Sequence, residues 1–177
     1  MKKEILTQLI FFLSFFLLIS LIKQWFGFIY LYFWFGGVLG LALPIIDHLL
    51  YAYVLRPDEV VSERIRFMIR NREYKSVFNY IVATKRERSK LIFHTAYFQV
   101  IFLVLTFFVI TSSGSLFGRG LVLAFSLHLL IEQLSDFMDR RDITSWFRDV
   151  PVEMNYDKIK VYILGSVLVL LFLGIVM

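Results

Sequence analysis

Five stretches of this chain carry almost no charge for close to the length that crosses a bilayer: Leu9–Ile22, Phe26–Ile46 continuing to Leu55, Leu91–Ile110, Leu121–Ile131 and Val161–Met177. Roughly 20 helical residues match a hydrocarbon core, because only a helix or a closed barrel satisfies its own backbone polar groups there. With their flanks the runs read as spans at about 5–22, 27–54, 91–111, 120–137 and 159–177. The expectation is an all-α integral membrane protein, a single bundle of about five transmembrane helices. Composition agrees: 59% hydrophobic against 19% charged residues excludes a water-soluble monomer. The absence of cysteine removes disulfides, thiolate metal sites and cysteine nucleophiles.

Charge sets the orientation. Lys2 and Lys3, ten basic residues in 55–90 and five in 138–160 account for seventeen of the nineteen, all in alternate gaps between spans. The intervening gaps hold Lys23 and Arg119 alone. The positive-inside rule therefore puts the N-terminus and both long loops in the cytoplasm and Met177 outside, in a multi-pass protein of the cytoplasmic (inner) membrane. The run after Met1-Lys2-Lys3 reads as a retained span, since no small-x-small cleavage site precedes Gln24-Trp25-Phe26. A pI near 9.5 then needs no nucleic acid as partner.

Within span 2, Gly36-x-x-x-Gly40 suits close approach of another helix, in this chain or in a homo-oligomer, and Pro44 predicts a kink just before Asp47. The 55–90 loop has a helix start at Pro57-Asp58 and an apolar stripe of Tyr74, Val77, Phe78, Ile81 and Val82, with Arg72, Ser76, Asn79 and Arg86 on the other face. Two placements suit it, flat on the cytoplasmic leaflet with its basic residues on anionic lipid headgroups, or packed on the bundle. Outside, Thr111–Gly120 reads as the turn between spans 3 and 4.

Ionisable residues inside apolar runs are costly and carry function or pairing. Here they are Asp47 and His48 near the cytoplasmic end of span 2, His94 one turn into span 3, and His128, Glu132 and Asp136 along span 4, a set that includes all three histidines. At about 1.5 Å per residue Glu132 and Asp136 lie about 6 and 12 Å below His128 on nearly one helix face. Alternating span direction brings the whole set to one depth. Imidazole and carboxylate are ligands for zinc, manganese or iron, so Asp47, His48, His94, His128 and Glu132 are the candidate metal ligands. Asp47 and His48, about 100° apart on a helix, both face inward only if Pro44 distorts span 2, and one of them then orients a ligand. Glu132 or Asp136 is the candidate proton acceptor in catalysis. The plainer alternative is structural pairing, with Glu132 on Arg140 or Lys90. Ser126 and His128 show no nucleophilic triad pattern.

Three segments then carry a resemblance. Leu43-Pro44-Ile45-Ile46-Asp47-His48, Phe93-His94-Thr95 and Leu127-His128-Leu129-Leu130-Ile131-Glu132 are similar to the Leu-Pro-Asp-x-Asp-His, His-x4-His-Ser and Ser-His-x3-Asp segments of the predicted inner-membrane metal-dependent hydrolases, small polytopic LexA-linked proteins. Ile45, Ser89 and Glu132 stand where that family has aspartate, histidine and aspartate. The resemblance implies a divalent-metal hydrolase, holding one ion here or reduced to a scaffold without catalysis. A lipid or lipid-linked ester or phosphate at the cytoplasmic leaflet is the expected substrate. A small proton-coupled transporter and a non-catalytic assembly partner are the alternatives from other classes.

Because the chain lacks cysteine, orientation is directly testable with single-cysteine variants. An impermeant maleimide added to intact cells is expected to label Ser113→Cys and to leave Ser76→Cys unlabelled until the membrane is opened. The reverse pattern overturns the orientation.

Overall fold

The computed structural model describes residues 2–84, 88, 91–140, 143–151 and 153–177, without the side chains of 2–4, 139, 140 and 144. Ser89, Lys90 and Arg86, and the side chain of Arg140, lie outside that description. Helix α1 (Lys2–Ile22) is followed by a 3-10 turn at Phe28–Tyr30, then α2 (Leu31–Ala42), α3 (Pro44–Leu50) and a π-helical turn at Tyr51–Leu55. Next come α4 (Val60–Arg70), α5 (Tyr74–Ala83), α6 (Ala96–Ser112), α7 (Leu116–Arg140), a 3-10 turn at Thr144–Phe147 and α8 (Tyr156–Val176). Among the described residues there is no strand.

Four segments are long and apolar enough to cross a membrane: Ile5–Ile22, Phe28–Leu55, Leu116–Met138 and Tyr156–Val176. The expected third span gives a shorter apolar helix of 17 residues, Ala96–Ser112. Its start is late because residues before Ala96 are held in a non-helical path by the site described below. Leu17, Ile101 and Phe172 are half or more exposed, as side chains facing hydrocarbon are.

Glycines explain how α2 and α7 cross. A Cβ on Gly36 would run into the Phe117 carbonyl oxygen, one on Gly40 into that of Leu121, and one on Gly120 into that of Phe33. The Gly36-x-x-x-Gly40 pair is thus spent inside the chain, matched by Gly120 across the contact, with the two backbones touching. Gly37 leaves room for the Phe16 ring of α1, which stacks on Phe33 with centroids 4.4 Å apart. The same core continues through Phe12, Phe15, Leu123 and Leu127.

Pro44 breaks the second span at Leu43, as expected of a residue without a backbone N–H. At the other end α4 starts at Val60, just beyond the expected Pro57-Asp58, with Glu59 as the capping position. Val77 and Ile81 of α5 are buried with Val61, Ile65 and Met68 of α4 against Ala52. Two residues of the stripe thus pack within the chain, while Tyr74 and Phe78 remain exposed. The turn at Thr111–Gly120 is tighter than expected: α6 runs to Ser112, and Ser115 Oγ accepts the Gly118 N–H at 3.1 Å at the start of α7.

Gly36→Ala and Gly120→Ala are expected to lower stability by about 1–3 kcal/mol each, the range for overpacking a tight contact. Gly165→Ala, where a Cβ meets nothing within 4 Å, is expected to leave it unchanged or slightly raised. Thermal midpoints in detergent check both.

Candidate functional site

Asp47 is fully buried, and both of its oxygens are taken. Oδ1 accepts the Ile92 N–H at 3.0 Å, and Oδ2 accepts the Phe93 N–H at 2.8 Å and the His94 Nδ1 proton at 2.8 Å. A carboxylate drawn into an apolar interior is stabilised by such donors and is costly without them. These two N–H groups are spent on a side chain of another element, residues 91–95 are non-helical, and α6 begins at Ala96. Thr95 then caps it, accepting the Phe98 N–H at 3.3 Å and donating to the Ile92 carbonyl at 3.0 Å.

With Nδ1 committed to Asp47, the other ring nitrogen of His94 faces α7, where Nε2 lies 2.8 Å from Glu132 Oε2. The same oxygen lies 3.4 Å from His128 Nε2 one turn away. Asp47, His94, Glu132 and His128 therefore form one continuous chain of contacts across α3, the 91–95 segment and α7. His128 Nδ1 is buried without a hydrogen-bond partner, while its carbonyl accepts from Gln8 Nε2 of α1 at 3.3 Å.

His48 is also buried, so both members of the Asp47-His48 pair do face inward beyond the Pro44 break. Its ring lies alongside that of His94, with centroids 5.4 Å apart and planes 29° apart. The buried Arg88 donates to it from the opposite side, Nε to His48 Nδ1 at 3.2 Å. Arg88 also donates through Nη1 to Thr84 Oγ1 at 2.8 Å and through Nη2 to the Ile81 carbonyl, which ties the end of α5 to the site.

Asp136 does something other than extend the line of acids. Its Oδ2 accepts from Trp146 Nε1 at 3.1 Å, and the Trp146 ring lies 5.5 Å from that of His94. The described contacts of Asp136 thus support a wall of the site. Arg148, two residues on, donates to the Leu91 carbonyl at 3.0 Å and secures the start of the 91–95 segment. Trp146, Arg88 and Arg148 carried no signal in the sequence. A tryptophan in a short polar loop and two arginines in basic stretches look like ordinary residues at the membrane surface.

Of the five candidate ligands, then, the structure brings His94, Glu132 and His128 together edge to edge and sets Asp47 and His48 behind and beside His94. Among the described residues no three His, Asp or Glu side chains already surround a common metal position. His94 and Glu132 meet directly. The 3.4 Å between Glu132 and His128 is the separation of neighbouring ligands on a tetrahedral ion with bonds of roughly 2.0–2.2 Å, whereas the 2.8 Å between His94 and Glu132 is a direct hydrogen bond that an ion would have to part. Two histidines and a glutamate form a known catalytic zinc set, and a carboxylate on the far nitrogen of a ligating histidine is its usual support. The donor chemistry fits a divalent ion.

Comparison with known proteins adds no further constraint: no family model, curated protein or solved structure matches the chain.

Asp47→Ala is expected to cost about 2–5 kcal/mol, because it strands two part-buried N–H groups and the buried His94 Nδ1 proton. Asp136→Ala removes the indole hydrogen bond of Trp146, a loss expected to cost about 1 kcal/mol on its own. Denaturation of both variants in the same detergent, with Asp47→Ala clearly the less stable, checks the ranking.

Proposed function

We propose that this chain is a membrane-embedded, metal-dependent hydrolase acting on a lipid or lipid-linked ester or phosphate at the cytoplasmic leaflet of the inner membrane. The observation that carries the reading is the line Asp47–His94–Glu132, in which one carboxylate fixes the imidazole and the other meets its free nitrogen. His94 Nε2, His128 Nε2 and Glu132 are the ligands of the proposed ion, zinc, manganese or iron, and Asp47 holds His94 from behind. The ion, when bound, lowers the pKa of a water and polarises the substrate oxygen.

Everything else is the work of the side chains. Glu132, in contact with both imidazoles, is the group placed to take a proton from a water in the site. Trp146, hydrogen-bonded to Asp136, covers one side of His94 and limits water there. The exposed Arg64, Arg70, Arg72 and Lys75 on α4 and beside α5 offer positive charge to an anionic headgroup. In this reading Ala96–Ser112, with the segment before it, makes the fifth crossing, and the N-terminus is cytoplasmic.

The direct His94–Glu132 contact favours one other reading, a proton relay in a small coupled carrier. A carrier needs polar groups leading outward, and Thr106 and Ser126 are turned on each other at 3.0 Å with Thr106 also donating to the Phe102 carbonyl at 2.7 Å. The assembly reading, a partner docked on the 55–90 loop with Gly36-x-x-x-Gly40 making a helix contact, loses the second of these supports, since that close approach is taken up by α7.

Elemental analysis of detergent-purified protein, free of chelator and affinity-tag metal, tests the proposal. Near-stoichiometric zinc, manganese or iron is expected, falling to background in His94→Ala and His128→Ala, with loss of lipid ester or phosphate hydrolysis of on the order of a hundredfold. No bound ion after reconstitution with each metal would sink the hydrolase and leave the relay.

A further inference from the structure

The contact between Arg88 and His48 fixes more than a position. An arginine Nε always carries its proton, so at 3.2 Å from His48 Nδ1 it is the donor and that nitrogen is the acceptor. An acceptor nitrogen has no proton, which leaves the neutral ring with its proton on Nε2. His48 in that form presents a donor and no lone pair at Nε2, and Nδ1 is occupied by Arg88. Neither nitrogen is then available to a metal.

Nε2 makes no hydrogen bond among the described residues. The ring beside it belongs to His94, at 5.4 Å. An N–H donor on a ring alongside His94, polarised by a guanidinium on its other nitrogen, is the kind of group that holds a developing oxyanion. Arg88 itself is anchored by Thr84 Oγ1 and the Ile81 carbonyl, so the donor is preorganised by the end of α5.

We infer that Arg88 is a positioning residue that holds His48 as an Nε2–H donor for an anionic oxygen, the phosphoryl or acyl oxygen of the substrate, and that His48 does not ligate the ion. This rests on the hydrolase reading for the identity of the substrate, and on the Arg88–His48 contact alone for the tautomer.

With only three histidines in the chain, 15N-histidine spectra of the full-length protein in nanodiscs, assigned through His48→Gln, resolve the question. The wild type and Arg88→Lys are expected to show His48 as the Nε2–H tautomer, and Arg88→Met a shift toward Nδ1–H. An Nδ1–H or doubly protonated His48 in the wild type overturns the inference, as does an unchanged tautomer in a folded Arg88→Met. If Arg88→Met does not fold, the wild type and Arg88→Lys decide. Inorganic phosphate and dihexanoyl phosphatidic acid are then added separately. A shift of the Nε2–H resonance with the lipid alone assigns the site to a headgroup, and a shift with phosphate alone to the free ion. No shift with either overturns the donor role. Metal stoichiometry is expected to survive His48→Gln, and its selective loss there would make His48 a ligand and overturn the assignment. Absence of metal from every form defeats the hydrolase reading while the tautomer result still stands.

Discussion

A single carboxylate, Asp47, is the constraint on which the inner half of this molecule depends. Fully buried, it is met by three donors that come from one short segment, two backbone N–H groups and an imidazole. That segment, which gives the N–H groups of Ile92 and Phe93 to a side chain, is non-helical, and α6 begins only after it. The same carboxylate turns His94 so that its second nitrogen points at α7. Pro44 is the complementary part: breaking the span at Leu43 lets both Asp47 and His48 face the interior.

The outer half is governed by backbone contact. Gly36, Gly40 and Gly120 let α2 and α7 touch, and this close crossing fixes their relative depth. From there α7 descends through His128 to Glu132 while the second span descends to Asp47, so two elements locked above meet their polar partners below. A loose crossing above would let His94 and Glu132, which stand on different segments, drift out of hydrogen-bond range. The phenylalanines of α1 fill the space left beside Gly37 and hold the crossing from behind.

Much of this was legible in the sequence because it depends on spacing. Apolar runs give the spans, the four-residue step from His128 to Glu132 gives a shared face, and Pro44 marks the break. What escaped depends on who takes a backbone hydrogen bond. Leu91–Ile110 reads as uninterrupted helix, and nothing in its pattern shows that Asp47, some forty-five residues earlier, takes two of its N–H groups. The role of Asp136 escaped for a related reason. Periodicity puts it below Glu132, but the partner that claims it, Trp146, sits in an irregular turn without period. The α5 stripe was legible as a stripe, and only the presence of α4 shows where it is buried.

The two carboxylates of the cluster, Asp47 and Glu132, differ in the one respect that decides where chemistry can occur. Asp47 is met by two backbone N–H groups, which cannot leave, and by the proton that fixes His94. All three of these contacts come from the 91–95 segment, so Asp47 ties that segment to α3. Glu132 Oε2 faces two imidazole nitrogens instead, at 2.8 and 3.4 Å, each able to give up or replace what lies between. A proton or a divalent ion can occupy that position without moving the backbone. Glu132, His94 and His128 are therefore the members of the cluster whose mutual contacts run between side chains alone, with no backbone group tied into them.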